Sequence, residues 1–194
     1  MITKPKLVMA SANPGKLREL NMLLGGMYDV ISMSGLGLDL DIEENGETFE
    51  ENALLKARAL NDASGLAAIA DDSGLEVYAL GNRPGVRSAR YAGAHGDDEA
   101  NNALLLEEMK DIDDRGARYV CAIAMCCPGK PPLIARACCE GEILRERRGT
   151  GGFGYDPLFY SHDLRKTFAE ADLNEKNAIS HRAKAIKKLL GMLS

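Results

Sequence analysis

The sequence lacks several features that would place it in a whole class of protein. No apolar run is long enough to span a bilayer and no secretory signal opens the chain, so we expect a cytoplasmic protein with no membrane partner. Positive charge is not in excess: 24 Lys and Arg against 29 Asp and Glu give a net charge of −5. This balance argues against a nucleic-acid partner but leaves room for a small phosphate ligand, which needs only a few lysines.

Metal-binding and redox cysteine motifs are also missing. Cys126-Cys127 and Cys138-Cys139 are vicinal pairs, Cys121 stands alone, and no C-x-x-C spacing occurs. All five cysteines lie in two apolar stretches with the character of strands. The pattern favours buried, reduced thiols on neighbouring strands over zinc or redox chemistry.

What is present is a chain of 194 residues, 45% of them hydrophobic, which suits one domain or one domain with an inserted lobe. Apolar periodicity predicts strands at 6–11, 28–32, 66–70, 75–80, 118–127 and 133–142. It predicts helices at 16–24, 49–63 and 98–109 and a terminal helix that ends at 190. The alternation indicates an α/β fold with a mixed sheet, because the last two strands are joined by a Pro- and Gly-rich connection typical of hairpins.

The first candidate site is the segment Ser11-Ala12-Asn13-Pro14-Gly15-Lys16, between the first strand and the first helix. A helix N-terminus attracts anions, and Lys16 with the side chains of Ser11 and Asn13 would complete a phosphate site. The segment is not a Walker A loop, since its glycine and lysine spacing differs. A well-capped helix start explains it equally well.

The second candidate is Asp71-Asp72-Ser73-Gly74, which follows an apolar strand. We expect the strand to end here and to place both aspartates at the carboxyl edge of the sheet. Paired carboxylates at such a point suit a hard divalent cation, with further ligands from the acidic loop that contains Glu43, Glu44 and Glu47. A solvated turn is the alternative.

The third candidate is Gly149–Gly154, which contains a literal G-x-G-x-x-G. A dinucleotide site requires this pattern to open a helix, and here Tyr155-Asp156-Pro157 follows, with Pro157 opposing a helix. A flexible loop that presents Phe153 to a flat ligand is the preferred interpretation, and a surface turn is the alternative.

The fourth candidate is the segment 175–182, which leads into the last helix. It contains Lys176, His181 and Arg182. Adjacent residues cannot share one helix face, but His181 and Arg182 can both reach a ligand at the helix N-terminus. A solvated basic helix is the alternative, given the neighbouring Lys184, Lys187 and Lys188.

Together these segments resemble the inosine triphosphate pyrophosphatase family. Six blocks in the family's order span nearly the whole chain: S-x-N-x-G-K at 11–16, T-F-x-x-N-A-x-x-K at 48–56, A-D-D-S-G-L at 70–75, P-G-V-x-S-A-R-Y-A-G at 84–93, G-T-G-G-F-G-Y-D-P at 149–157 and K-N-A-I-S-H-R at 176–182. The resemblance implies one catalytic domain over residues 1–194: an elongated, two-lobed mixed β-sheet with flanking helices and an active site in the inter-lobe cleft. It also implies a homodimer.

The implied activity is Mg²⁺-dependent hydrolysis of non-standard purine nucleoside triphosphates (ITP, dITP and XTP) to the monophosphate and pyrophosphate, which cleanses the nucleotide pool. By this resemblance Asp72 is the catalytic carboxylate and holds the metal with Glu43, with Glu44 as the alternative ligand. The triphosphate is assigned to Ser11, Ala12, Asn13, Pro14, Gly15, Lys16 and Lys56, and Ser73 to a further substrate contact. The base and sugar are assigned to Phe153, Gly154, Tyr155, Asp156, Lys176, His181 and Arg182.

Three other functions fit parts of the sequence. A Maf-like pyrophosphatase for other modified nucleotides would open with a Ser-Pro motif and arginines, which residues 13–16 do not match. A non-catalytic nucleotide sensor would be expected to have a broken metal site, whereas Glu43, Asp71 and Asp72 are all present. A dinucleotide-dependent oxidoreductase is disfavoured by the position of the glycine-rich loop.

Overall fold

The computed structural model describes residues 3–11 and 13–193, and in these ranges the chain forms eight strands and five α-helices. The strands are β1 (Lys6–Met9), β2 (Asp29–Ser32), β3 (Ala68–Val77), β4 (Arg83–Pro84), β5 (Gly116–Cys126), β6 (Leu133–Ile143), β7 (Phe159–Ser161) and β8 (Lys166–Thr167). The helices are α1 (Pro14–Leu24), α2 (Phe49–Ser64), α3 (Asp98–Glu108), α4 (Leu173–Ile179) and α5 (His181–Gly191). Ala12, a predicted phosphate contact, lies outside the described residues.

The strands pair in the order β2-β1-β3-β5-β6-β7-β8, and β4 pairs with β3. Strand β1 is parallel to both of its neighbours, whereas β7 is antiparallel to β6 and to β8. The parallel pair β1–β2 is connected through α1, as a parallel connection requires. The predicted α/β class with a mixed sheet is therefore confirmed.

Strand β3 differs from the sequence-based prediction. The Asp-Asp-Ser-Gly segment does not end a strand: Ala68–Val77 is one continuous strand of ten residues, and Asp71 and Asp72 lie in its middle. The expectation that they sit at the carboxyl edge of the sheet is wrong. Both residues are buried, and both are paired with lysines, so the chain can keep them inside the fold without a solvated turn.

The predicted helix ends are largely confirmed because they depend on local hydrogen bonds. Helix α2 begins with a capping box between Thr48 and Glu51, and Gly65 ends it in the left-handed conformation. Helix α1 begins at Pro14, two residues before the predicted start, with Asn13 as its cap. Nowhere in residues 3–11 and 13–193 is a helix long and apolar enough to cross a membrane.

The chain divides into two compact units. Unit 1 consists of 1–72, 121–137 and 185–194, and unit 2 consists of 73–120 and 138–184. Unit 1 has an aliphatic core that includes Leu7, Met9, Leu20, Leu24, Ile69, Ile123 and Ile186. Unit 2 has a core rich in aromatic residues, which includes Leu75, Leu105, Tyr119, Tyr155, Phe159 and Phe168.

The cysteines agree with the prediction of reduced thiols. None of the five forms a disulfide; Cys121, Cys126 and Cys139 are buried, and Cys127 and Cys138 are half-buried.

Candidate active site

A cluster of buried charges in unit 1 surrounds the two aspartates of β3. The Nζ atom of Lys56 lies 3.4 Å from Asp72 Oδ1 and 3.2 Å from Glu44 Oε2. The Nζ atom of Lys16 lies 3.2 Å from Asp71 Oδ2, and the Asp71 side chain is fully buried. Three carboxylates thus face two ammonium groups, which leaves one negative charge in excess within the cluster.

Helix α2 positions this cluster through two residues on one of its faces. Asn52 and Lys56 are separated by one helical turn and therefore point in the same direction. Asn52 Nδ2 donates to Asp72 Oδ2 at 3.2 Å, and Asn52 Oδ1 accepts from the Gly46 backbone N–H at 2.8 Å. A Cβ atom at residue 46 would approach Asn52 Oδ1 to 2.7 Å, so glycine permits this close approach. Asn52 therefore ties the acidic loop to the catalytic carboxylate candidate.

The environment of Asp72 strengthens it as a proton acceptor. Burial raises the pKa of its carboxyl, and the positive charges of Lys56 and Lys16 only partly oppose this, so the net shift is upward. Burial lowers the pKa of Lys56, but the attraction of Asp72 and Glu44 outweighs it, and the Lys56 pKa is raised overall. Lys56 therefore stays protonated, while Asp72 titrates at a higher pH than an exposed aspartate.

The two candidate metal ligands of the acidic loop are placed differently. Glu44 is half-buried and forms the ion pair with Lys56, whereas the Glu43 side chain is exposed. Glu44 and Asp72 share Lys56 as an ion-pair partner, and the like charge of Glu44 contributes to the raised pKa of Asp72. By geometry, Glu44 is the better partner for Asp72.

The Mg²⁺ implied by the resemblance fits this cluster in its chemistry. Its oxygen donors are the ligands that Mg²⁺ prefers, and a cation would compensate the excess negative charge. Among residues 3–11 and 13–193, however, no group of three or more His, Cys, Asp or Glu is placed to hold a metal ion. Mg²⁺ at nucleotide sites commonly binds few protein carboxylates and completes its shell with water and phosphate oxygens. The cluster thus fits a metal that binds together with a nucleotide.

The segment after β1 forms a tight turn into α1. The side chain of Asn13 accepts hydrogen bonds from the backbone N–H groups of Gly15 and Lys16, at 2.8 and 3.1 Å. Ser11 Oγ accepts from the Asn13 N–H at 3.1 Å. Pro14 occupies the first turn, where its missing N–H costs nothing. Two backbone donors of this turn are thus already bound by Asn13, and Lys16 is the cation that the turn presents.

A second polar centre lies in unit 2, around the buried carboxylate of Asp156. Its Oδ2 atom accepts from Lys176 Nζ at 2.6 Å and from the Phe153 backbone N–H at 3.0 Å. Its Oδ1 atom accepts from the Tyr119 hydroxyl at 3.3 Å. Burial and the Asp156 charge hold the pKa of Tyr119 well above its usual value, so the phenol remains a donor. Asp156 is therefore fixed from several directions.

Aromatic and cationic side chains surround Asp156. The buried ring of His181 stacks on Tyr119, with centroids 4.8 Å apart and planes 11° from parallel. Lys176 Nζ lies 4.5 Å from the centre of the Phe153 ring, and Arg182 lies 6.0 Å from it. This arrangement offers a flat ring together with hydrogen-bond donors, which is what recognition of a heterocyclic base requires.

Two further residues predicted from the sequence have identifiable partners. The buried guanidinium of Arg182 donates to Ser73 Oγ at 3.0 Å, so these two candidates are in contact. Tyr155 is packed in the core of unit 2, and its hydroxyl donates to the Ser88 carbonyl at 2.9 Å. Its contacts are those of a structural residue.

The glycine-rich loop, which the sequence predicts to be flexible, makes hydrogen bonds and close contacts to the rest of unit 2. The Gly151 N–H donates to the Ala169 carbonyl at 3.0 Å, and a Cβ atom at Gly152 would overlap the Asp156 carboxylate. Gly152 and Gly154 also adopt positive φ angles of 75° and 63°, which favour glycine. The glycines therefore allow close packing of the loop, and no helix begins after it.

Several residues of both clusters are not predicted from the sequence. Asn52 belongs to one of the six blocks, and its one-turn spacing from Lys56 was a usable signal. Tyr119 lies in an apolar strand pattern that looks like ordinary core. Asp98 and Asn102, whose side chains form hydrogen bonds with the Gly154 backbone, look like helix-start residues. No local signal in the sequence connects these three with the loop 149–154.

Comparison with known proteins identifies the family. Residues 7–192 match the Ham1 family. The chain is 48% identical over 191 residues to the dITP/XTP pyrophosphatase of Bacillus licheniformis, covering 97% of each chain. It is 48% identical over 196 residues to the dITP/XTP pyrophosphatase of Bacillus subtilis, covering 100% of this chain and 99% of that one.

Solved structures agree with the sequence comparison. The Staphylococcus aureus Ham1 protein has a TM-score of 0.87 and 45% identity, covering 97% of each chain. A HAM1 protein from Coxiella burnetii has a TM-score of 0.87 and 44% identity, covering 97% of this chain and 98% of that one. The resemblance inferred from the six blocks is thereby confirmed, and the chain belongs to the Ham1 family.

Proposed function

We propose that this protein is a Mg²⁺-dependent pyrophosphatase that converts dITP, ITP and XTP to the nucleoside monophosphate and pyrophosphate. The observation that supports this most directly is the buried Asp72, which lies beside Lys56 and Asn52 in a cluster with excess negative charge. The names of the Bacillus relatives, dITP/XTP pyrophosphatase, support the substrate class.

Lys16 and Lys56 are proposed to bind the triphosphate. Both ammonium groups are largely buried and form ion pairs with carboxylates. Phosphate oxygens of a bound nucleotide can accept hydrogen bonds from the same ammonium groups. Charge that develops on the departing pyrophosphate is stabilised by cations that are already in position. The segment Ser11 to Lys16, including Ala12, is assigned to the same phosphates.

Asp72 is proposed to orient and deprotonate the attacking water. Burial raises its pKa, which makes it a stronger base than an exposed aspartate. Hydrogen bonds from Asn52 and Lys56 fix both carboxylate oxygens in place. Mg²⁺, when bound, neutralises phosphate oxygens and lowers the pKa of a bound water.

Glu44 is proposed as the second carboxylate for the metal, in place of Glu43, which the sequence favoured. The ion pair with Lys56 and the tie between Gly46 and Asn52 hold Glu44 close to Asp72. The matched variants E44Q and E43Q test this assignment. We expect E44Q to need a higher Mg²⁺ concentration for half-maximal rate, and E43Q to match the unmodified enzyme; the opposite pattern would restore Glu43.

The base is assigned to unit 2, through Phe153, Lys176, His181 and Arg182, with Gly154, Tyr155, Asp156 and Ser73 in support. Hypoxanthine and xanthine have a 6-keto acceptor, whereas adenine has a 6-amino donor that would leave protein donors unpaired. Such a mismatch costs on the order of 1–3 kcal/mol per buried group, so ATP is expected to be a poor substrate. GTP has the same 6-keto group, so its rejection must depend on the surroundings of the 2-position of the purine ring.

The test is pyrophosphate release from ITP, dITP, XTP, GTP and ATP, with Mg²⁺ and with EDTA. We expect turnover of the first three only when the metal is present, and a loss of at least about 10²-fold in D72N. E47Q, in an exposed position of the same acidic loop, is the control. Binding of ITP without turnover would instead indicate a nucleotide sensor, and equal rates for all five nucleotides would refute the substrate class.

The homodimer implied by the family resemblance is also a proposal. Light scattering coupled to size-exclusion chromatography is the direct measurement, and a mass near that of one 20.9 kDa chain would contradict it.

A further inference from the structure

We propose that Asp98 and Asn102 of helix α3 are positioning residues for base recognition, because they clamp Gly154 and thereby fix Phe153. This inference rests on the proposed function and extends it to a helix that contains none of the residues assigned above to the substrate.

The clamp holds both backbone groups of one glycine. Asp98 Oδ2 accepts a hydrogen bond from the Gly154 N–H at 2.6 Å, and Asn102 Nδ2 donates to the Gly154 carbonyl at 2.8 Å. Asp98 and Asn102 are one helical turn apart, so their side chains meet the same target. Asn102 Nδ2 also donates to the Asp98 carbonyl at 2.6 Å, which fixes the orientation of the buried amide.

A residue clamped at both its N–H and its carbonyl cannot rotate its peptide groups. Gly154 has a φ of 63°, so the clamp holds a left-handed conformation that few other residues adopt readily. Phe153 precedes it directly and shares the peptide bond whose N–H Asp98 binds. The Phe153 backbone N–H in turn donates to Asp156. Phe153 is therefore held on both sides, by α3 and by Asp156.

Fixing Phe153 matters because its ring lies 4.5 Å from Lys176 Nζ, the cation bound to Asp156. A loop that is ordered before the ligand arrives does not lose that conformational freedom on binding. Loss of the clamp should therefore weaken base binding and base selectivity. It should have little effect on the maximal rate, which depends on Asp72 and its lysines.

Steady-state kinetics separate this role from a merely structural one. In D98A and N102A we expect KM for ITP to rise by about tenfold, with kcat within about twofold, because one charge-assisted or buried hydrogen bond is lost. D98N keeps an acceptor oxygen and should fall between D98A and the unmodified enzyme. E99A removes an exposed acid from the same helical turn, together with its surface ion pair to Arg147. Because exposed ion pairs contribute little, this control should change neither value. Equal KM values for D98A and E99A would overturn the proposal.

A fluorescence measurement tests the clamp without turnover. The chain contains no tryptophan, so F153W introduces a single reporter at the loop. We expect acrylamide to quench this tryptophan more strongly when D98A is added to F153W, and equally when E99A is added. Unchanged quenching with D98A would overturn the clamp. A failure of the proposed function would appear separately, as absence of nucleotide hydrolysis in the unmodified protein.

Thermal unfolding shows whether the variants are folded. If D98A does not fold, D98N and N102A provide the comparison with E99A by the same two measurements. A fall in kcat with unchanged KM in all folded variants would also contradict a role in base recognition.

Discussion

Lys56 is the residue on which the charge balance of unit 1 depends. It lies between Asp72 and Glu44, and its side chain is only 10% exposed. Removal of its charge would leave two neighbouring carboxylates without their common partner in a poorly solvated site. The lysine therefore compensates part of the negative charge of the cluster, and the proposed binding of phosphate would use the same ammonium group.

This arrangement predicts how the enzyme responds to pH. Asp72 must be ionised to act as a base, so activity should rise with pH as the carboxyl loses its proton. This rise is the acid limb of the pH profile. Because the pKa of Asp72 is raised, we expect the acid limb at a higher pH than an ordinary aspartate would give. Lys56 is the strongest influence that lowers the Asp72 pKa, so K56M should move the limb to still higher pH.

The measurement is kcat/KM for ITP as a function of pH, in the unmodified enzyme, K56M and K56R. K56R keeps the positive charge and should leave the limb near its original position, even if phosphate binding weakens. An acid limb at the same pH in K56M and in the unmodified enzyme would show that Asp72 is not the titrating group.

The choice between Glu43 and Glu44 could not be made from the sequence, because the direction of a loop side chain is not predicted by a local pattern. The acidic segment has no helix or strand period, so its pattern does not fix which carboxylate faces the site. In the structure, the Gly46 N–H binds Asn52 and sets the position of the residues before it. That hydrogen bond joins a loop to a helix, and no local sequence pattern predicts it.

At the scale of elements, local patterns predicted helices better than they predicted β3. The ends of α2 follow from contacts within a few residues, such as the Thr48–Glu51 capping box and the left-handed Gly65. Strand β3 was predicted as two strands because Asp-Asp-Ser-Gly is typical of turns. Its continuity depends on Lys16 and Lys56, which belong to other elements and neutralise the buried aspartates.

The cap of α2 gives a prediction for that element. Thr48 Oγ1 accepts from the Glu51 N–H, so T48A should lower the free energy of unfolding by about 1 kcal/mol. T48S retains the hydroxyl and should lose much less. Urea denaturation of the three proteins measures the difference. Equal stability of T48A and T48S would show that the capping hydrogen bond contributes nothing to the fold.

At the scale of the whole chain, the structure shows which unit each of the six blocks belongs to, whereas the sequence shows only their order along the chain. The first two blocks and the aspartates of the third belong to unit 1, and the last three belong to unit 2. Unit 1 gathers Asp72 with two lysines, and unit 2 gathers Asp156 with Lys176 and an aromatic cluster. The first and last blocks are about 160 residues apart in the sequence. Their grouping therefore depends on tertiary contacts, which a local sequence pattern does not contain.

The five cysteines give a prediction that tests the burial of β5 and β6, two strands that contribute to both cores. A thiol reacts as its thiolate, so buried thiols with raised pKa react slowly. Burial raises the pKa of Cys126 and Cys139, and Cys121 is fully buried. In a thiol titration of the native protein we therefore expect Cys127 and Cys138 to react first and the other three slowly.

The same titration in guanidinium, without a reductant, should count all five thiols, since no cysteine forms a disulfide. Replacing both half-buried residues, in C127S/C138S, should remove the fast phase and leave the slow one. Fewer than five thiols in the denatured protein would reveal a disulfide and contradict the structure. A fast phase that remains after the double substitution would show that one of the three buried cysteines is exposed. It would contradict the burial of β5 or β6, both of which contribute residues to the two cores.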